Sequence, residues 1–249
     1  MSFEQAATFG LGAFTCGQGL YQNMVITLPY SPAINAFTTH QSKVENKNPK
    51  LLIYGGSTST GIFAIQLATL SSFEVLTTCS PHNFELVRRL GAKRMYDYRS
   101  ETCGWDTKRD TENELFYAYD CIGTDGSARI CAEALSSCTT PSGRKAKYGT
   151  VMRNQFGRAD VDVSWSLVFS ALGEAFSVKT PDGQVVFELP AKPEDFEFAK
   201  EWAGVVEKLV GDGKLKPPPV KIGKGFEAVV AGIEEIKTVG GVRLVYSVP

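Results

Sequence analysis

Short apolar runs recur along residues 51–152, each ending in a polar or glycine-rich turn and each followed by a stretch with helical spacing. Leu51–Tyr54 is the first. Gly61–Leu70 (GIFAIQLATL) behind it is so evenly apolar that the predicted helix is buried on most sides. Glu74–Cys79 predicts a second strand, Asn83–Leu90 a helix closed by Gly91, and Arg94–Tyr96 a short third strand. A polar stretch to Asn113 reads as surface. Phe116–Ile122 then predicts a strand, Asp125–Leu135 a helix and Lys147–Met152 a strand. Strands alternating with helices imply an α/β, doubly wound, mostly parallel sheet covered on both faces.

The flanks read differently. Residues 4–24 look helical, with small residues (Ala6, Ala7, Gly10, Gly12, Ala13, Gly17, Gly19) suited to close packing. Leu28–Lys50 is a connection in which Pro29 and Pro32 argue against helix. Beyond Met152 the rhythm breaks. Trp165–Phe176 is apolar without a clean period. Glu194–Val210 is an amphipathic helix with Phe198, Trp202, Val205 and Leu209 on one face, and Pro217-Pro218-Pro219 beyond it favours an extended segment. Phe226–Lys237 predicts a last helix and Val242–Tyr246 a last strand.

Composition narrows the function. The 249 residues are 43% hydrophobic and 21% charged, with a formal net charge of −1, so a broad basic surface for nucleic acid or anionic membrane is excluded. No apolar stretch of about 18 residues is present to span a bilayer. The N-terminus lacks the basic start of a signal peptide, which points to the cytosol. The six cysteines form no C-x-x-C pair and the two histidines, His40 and His82, lie far apart, so a zinc site is not expected. The cysteines read as small hydrophobes. No Ser-His-Asp or Cys-His arrangement can be assigned.

Two of the turns carry chemistry. Phosphate binding needs converging backbone N–H groups and the positive end of a helix dipole. After Tyr54 the chain reads GGSTSTG: Gly55 and Gly56 permit a tight turn, Ser57, Thr58, Ser59 and Thr60 add hydroxyl donors, and a helix follows. It is not a P-loop, because Ile62 follows Gly61 where Lys is required, nor a strict G-x-G-x-x-G. A plain strand-to-helix connection remains the other reading. An NAD site places an acidic residue about 20 residues further on. Here the second strand ends Thr77-Thr78-Cys79-Ser80, with no carboxylate until Glu85. Ser80, His82 and Asn83 offer neutral donors and Arg88 a guanidinium, a set that suits a 2′-phosphate and hence NADP. Arg88 reads equally as a solvated helix charge. Tyr98 reads equally as a half-buried core residue or as a ring near an adenine.

Taken together, these residues resemble the medium-chain dehydrogenase/reductase superfamily, and more closely the trans-acting enoyl reductases of fungal polyketide synthases. The likeness runs nearly end to end through AATFGLGAFTCGQGLY, YGGSTSTG, CSPHNFELVRRLGA, YDYR, AYDCIG, DVSWSLVFSALGE and RLVY. It implies a Rossmann-type fold, with NADPH held by Ser57–Thr60, by Ser80, Pro81, His82 and Asn83, and by Tyr98. It also sets Val151, Met152, Val245 and Tyr246 beside the cofactor. By the same likeness Cys16, Gly17, Gln18, Gly19, Leu20, Tyr21, Gln22 and Asn23 border the acyl pocket. Val168, Phe169, Ser170, Ala171 and Leu172 do so too, with Thr15 near the reacting end.

Family members carry a GroES-like catalytic domain of about 100 residues ahead of the helix that opens this chain. The resemblance therefore divides the sequence into 1–28, a hinge helix and remnant of the catalytic domain; 29–185, the NADP-binding domain; and 186–249, the helices and strand of that incomplete catalytic domain. The implied activity is NADPH-dependent reduction of an α,β-unsaturated thioester carried by a polyketide synthase, by a monomer and without metal. A truncated non-redox paralogue, either an inactive partner subunit or an isomerase or cyclase, is the alternative. With the upstream domain absent, cofactor binding is expected to survive and turnover of the isolated chain to be low.

Overall fold

The structure is a computed structural model that describes residues 1–27 and 49–248. The connection read at Leu28–Lys50 lies outside the described residues except for its last two. Six strands form one all-parallel sheet: β1 (Lys50–Tyr54), β2 (Glu74–Thr78), β3 (Arg94–Tyr96), β4 (Tyr117–Asp120), β5 (Ala146–Thr150) and β6 (Val161–Trp165). Their order is β3-β2-β1-β4-β5-β6. The order reverses between β1 and β4, and ligands of such sheets bind outside the carboxyl ends of the strands at that point. The register puts Tyr54 beside Thr78 on one side and Asp120 on the other, so these three residues mark the same rim.

Helix α1 (Phe3–Ala6) and helix α2 (Gly10–Cys16) open the chain, and α2 continues as a π-helical segment, Gly17–Asn23. Helix α3 (Ser59–Leu70) crosses from β1 to β2, and every residue from Gly61 to Ala68 is buried, because β1 and β2 cover one side and α2 another. The small residues of the opening helix allow that approach: a Cβ on Gly12 would stand 2.9 Å from the ring of Phe63. Helix α4 (Phe84–Arg89) follows a 3₁₀ turn at Pro81–Asn83. Helix α5 (Cys103–Asp110) lies within the stretch that reads as surface. Only Cys103, Gly104 and Thr107 of α5 face inward, too few to leave an apolar period in the sequence. Helix α6 (Asp125–Ala134) starts from a reciprocal cap between Thr124 and Ser127.

Beyond the sheet a 3₁₀ segment, Val168–Leu172, leads to an antiparallel hairpin of β7 (Phe176–Lys179) and β8 (Val185–Leu189). Its turn, Thr180-Pro181-Asp182-Gly183-Gln184, uses Gly183 at φ +89°. Helix α7 (Pro193–Gly211) buries Phe198, Trp202 and Leu209 as its period requires, and Trp202 Nε1 donates to the Ala13 carbonyl at 3.0 Å. Strand β9 (Val220–Lys224) pairs in parallel with β10 (Arg243–Ser247), joined by α8 (Gly225–Glu235). Strands β6 to β9 are absent from the sequence reading; each is short, and more than half of each of β7, β8 and β9 is exposed. Among the described residues no helix is long and apolar enough to cross a membrane.

Candidate functional site

Where β1 ends, Gly55 turns at φ +80° and its N–H donates to Thr78 Oγ1 at 3.0 Å. The next N–H, of Gly56, donates to the Thr78 carbonyl at 2.9 Å, which locks the turn to the end of β2. A side chain at Gly56 would overlap the Thr77 hydroxyl, and one at Gly61 the Gly55 backbone, so both glycines are required by close approach. Thr58 caps α3: its hydroxyl accepts from Gly61 N–H at 2.9 Å and donates to the Gly55 carbonyl at 2.8 Å. The positive end of α3 therefore opens toward this rim.

At the end of β4 the buried Asp120 carboxylate accepts from the Ile122 and Gly123 N–H groups at 2.9 and 3.0 Å. It also accepts from the hydroxyls of Ser127 and Tyr148. These bonds shape the turn that carries Ile122 and Thr124. Between the turns lies a cleft of about 400 Å³. Tyr54, Gly55, Ser57 and Thr58 form one wall, Cys79, Ser80, His82, Asn83 and Tyr98 another, Ile122 and Thr124 a third, and Lys237–Gly240 from beyond α8 the fourth. No carboxylate lies among these lining residues. Burial pushes the Cys79 thiol up to about 11 and the Tyr54 hydroxyl further, so neither group adds negative charge to the cleft at physiological pH.

The C-terminal unit is tied to this cleft. Gly241 N–H donates to the Ser57 carbonyl at 3.1 Å, and Arg243 Nη1 donates to Ser59 Oγ at 2.7 Å, at the start of α3. The sequence reading assigns no cofactor role to Arg243, though it opens the RLVY segment, or to Lys237: local pattern cannot connect cations beside Gly240-Gly241 to a turn 180 residues away.

No family model matches the chain. A dual trans-enoyl reductase/FAD-dependent monooxygenase of Aspergillus terreus is 39% identical over 239 residues, which is 95% of this chain and 31% of that protein. A trans-enoyl reductase of Botryotinia fuckeliana is 34% identical over 273 residues, covering 100% of this chain and 70% of that protein. The chain belongs to the trans-enoyl reductase family. It spans between 31% and 70% of the length of these two relatives. The crystal structure of the CurK enoyl reductase superposes with a TM-score of 0.71 at 18% identity, covering 100% of this chain and 64% of that one, and shares its fold.

The cofactor residues expected of this trans-enoyl reductase chain fall into five groups. Gly55, Ser57, Thr58, Ser80, His82, Asn83 and Tyr98 meet at the cleft. Gly56, Ser59, Thr60 and Pro81 belong to the same turns without lining it, and Thr60 offers its carbonyl to the Cys16 thiol at 3.1 Å. Arg88 stands on the exposed face of α4, its guanidinium on Glu85 at 2.7 Å and away from the cleft wall. Val151 and Met152 follow β5 at the same sheet edge, Met152 being exposed. Tyr246, next to Val245 on β10, packs against Gly223 and Gly232 inside the C-terminal unit.

The expected acyl-pocket residues are largely engaged in packing. Gly17 faces the Trp202 indole, Gly19 the Tyr119 ring, and the Tyr21 hydroxyl bonds to Leu67 O and Ser71 Oγ. Cys16 and Leu20 are fully buried. Thr15 is buried, its hydroxyl donating to the Leu11 carbonyl at 2.7 Å and its own carbonyl accepting from Tyr119. Gln18 Nε2 donates to Ser170 Oγ at 2.8 Å and to Asp195 Oδ2 at 3.0 Å, and Gln22 Nε2 donates to Asp195 Oδ1 at 2.8 Å. Ser170 also donates to Asp195. Asn23 donates to the Trp165 carbonyl at 3.1 Å. Val168 and Ala171 are half-buried, while Phe169 and Leu172 are exposed. Among the described residues no cluster of three or more His, Cys, Asp or Glu is placed to hold a metal ion.

Proposed function

We propose that this chain binds NADPH in the cleft at the ends of β1, β2 and β4 and serves reduction of an α,β-unsaturated acyl thioester presented by a polyketide synthase. The carrying observation is the cleft: a capped, glycine-built phosphate turn at the sheet's switch point, facing a donor-rich wall without a carboxylate, in a chain similar over its whole length to a trans-enoyl reductase. That likeness supports the redox reading over a non-redox paralogue.

The walls suit the cofactor. The Gly55–Thr58 turn and the start of α3 offer backbone N–H groups and hydroxyls to a pyrophosphate, and Arg243 on Ser59 adds a cation next to them. Tyr98, 41% exposed, turns its ring to the cleft, where an adenine can stack. Ser80, His82 and Asn83 donate without negative charge, so a 2′-phosphate is tolerated where an acidic residue would repel it. When bound, the cofactor supplies a hydride to the β-carbon of the enoyl thioester.

The chain's own residues position and shield. Asp120 holds the Ile122–Thr124 turn that forms one wall. Asp195 ties Ser170, in the segment proposed to border the acyl chain, to Gln18 and Gln22 of the π-helical segment, fixing that wall relative to Thr15. No metal is needed, since hydrogen bonds can polarise a thioester carbonyl. The test is fluorescence titration of the purified chain with NADPH, followed by NADPH oxidation with an enoyl thioester, with and without a synthase. Saturable NADPH binding and synthase-dependent oxidation support the reading; failure to bind either NADPH or NADH overturns it.

A further inference from the structure

Two arginines follow the Ser80–Asn83 turn, yet both are occupied by one carboxylate: Arg88 Nη1 and Arg89 Nε reach Glu85 at 2.7 and 2.9 Å on the outer face of α4. Neither lines the cleft. The one lysine or arginine among its lining residues comes from the other end of the chain, at Lys237. Its loop is held against the Ser80–Asn83 turn. Gly241, at φ +77°, packs so closely on Asn83 that a Cβ would stand 2.5 Å from Oδ1, and one on Gly240 would stand 3.3 Å from Nδ2. The Gly241 N–H bond to Ser57 closes the loop onto the phosphate turn as well. Lys237 thus lines the same cleft as the Ser80, His82 and Asn83 donors that a ribose 2′-substituent would meet.

The present partner of Lys237 is Glu234, at 2.6 Å, with the two side chains 62% and 75% exposed. So exposed a pair is screened by solvent and holds the lysine only weakly. A 2′-phosphate carries a charge of about −1.5 to −2 near neutral pH and offers three acceptor oxygens. A lysine ammonium on a flexible stem can exchange the one for the other without moving the backbone. We propose that Lys237 reads the 2′-phosphate of NADPH, leaving Glu234 on binding, so that the loop after α8 rather than helix α4 selects NADP over NAD. This inference rests on the proposed NADPH site.

Calorimetric titration of the full chain with NADPH, NADH, 2′,5′-ADP and 5′-AMP separates the two. Wild-type preference for NADPH over NADH and for 2′,5′-ADP over 5′-AMP tests the underlying site, and its absence overturns that site together with this inference. Given that preference, Lys237→Gln is expected to weaken NADPH and 2′,5′-ADP by about tenfold or more, the scale of a lost charge-assisted hydrogen bond, and to leave NADH and 5′-AMP unchanged. Lys237→Arg should restore part of the loss. Glu234→Gln should tighten NADPH and 2′,5′-ADP by freeing the lysine, and Arg88→Gln should change nothing. Circular dichroism of each variant checks that the fold is kept. Selective loss in Arg88→Gln with none in Lys237→Gln, or equal loss for NADPH and NADH in Lys237→Gln, overturns the assignment of Lys237.

Discussion

A Cβ placed on Gly17 would fall inside the Trp202 indole, and one on Gly19 inside the Tyr119 phenol ring, whereas one on Gly10 would meet nothing within 4 Å. Three glycines of one helical run thus have different physical meanings. Gly19→Ala should destabilise by about 1–3 kcal/mol through overpacking, and Gly10→Ala should be neutral or stabilising by up to about 1 kcal/mol, because its backbone already suits alanine. Urea denaturation of both variants checks the contrast; equal effects would mean the ring contacts are not tight. The cysteines allow a second test. Cys16, Cys79, Cys103, Cys121 and Cys131 are buried and Cys138 is exposed. Burial raises the thiols of Cys16, Cys121 and Cys131 well above the free value, and those of Cys79 and Cys103 to about 11. Alkylation requires the thiolate, which at pH 8 is roughly 0.1% of a thiol titrating three units higher. Iodoacetamide at pH 8 should therefore modify Cys138 first, with Cys79 following only as the pH climbs toward 11. Peptide mass spectrometry reads the order, and early labelling of Cys121 or Cys131 would show that the sheet opens.

At the scale of elements, Asp195 on the first turn of α7 collects donors from two other segments, Gln18 and Gln22 of the π-helical run and Ser170 of the 3₁₀ turn, with no cation among them. Asp195→Ala leaves those donors facing an apolar gap and should cost on the order of 3 kcal/mol. Asp195→Asn should cost less, about 1 kcal/mol, because Gln18 Oε1 and Gln22 Oε1 are buried without partners and an amide flip can present one to the new NH₂. Thermal melts of the pair test this; equal losses would mean the charge itself, not the hydrogen bonding, is what the fold needs. The long elements behind this node are legible from sequence because burial writes itself into period: the even apolarity of α3 and the Phe198–Trp202–Leu209 stripe of α7 each follow from the surfaces that cover them. The node is not legible. It joins residues 18 and 195 across the fold, and Gln, Ser and Asp at helix starts read as solvent-facing polar residues. Strands β7 and β9 are hidden for a related reason. Each is stabilised by one neighbour and exposes most of its side chains, so no alternation survives. In the cleft the turns after β1 and β2 are local and readable, while the fourth wall arrives from about 180 residues downstream.

On the scale of the whole molecule, the bonds from Gly241 to Ser57 and from Arg243 to Ser59 join the β9–α8–β10 unit to the turn after β1 and the start of α3. Much of the rest of that unit faces outward: Phe226, Val230 and Ile233 on α8, and Ile236 just beyond it, are exposed. Its stability should therefore depend on what occupies the cleft. A ligand bound at a hundred times its dissociation constant stabilises the folded state by about 2.7 kcal/mol, and because both sides of this cleft contribute walls, part of that gain should appear as tighter docking of the C-terminal unit. Hydrogen exchange of residues 220–247 should slow when NADPH is added, along with that of residues 55–61 and 79–83. Arg243→Gln removes the cation at the start of α3 and one of the two ties. It should weaken NADPH and NADH alike by about 1–3 kcal/mol, since the pyrophosphate is common to both, and should erase most of the protection in residues 220–247. The comparison with Lys237→Gln is decisive at this scale, because that variant should keep the protection while losing selectivity. If exchange in 220–247 is unchanged by cofactor in the wild type, the C-terminal unit is a bystander and the ties at Ser57 and Ser59 are structural only.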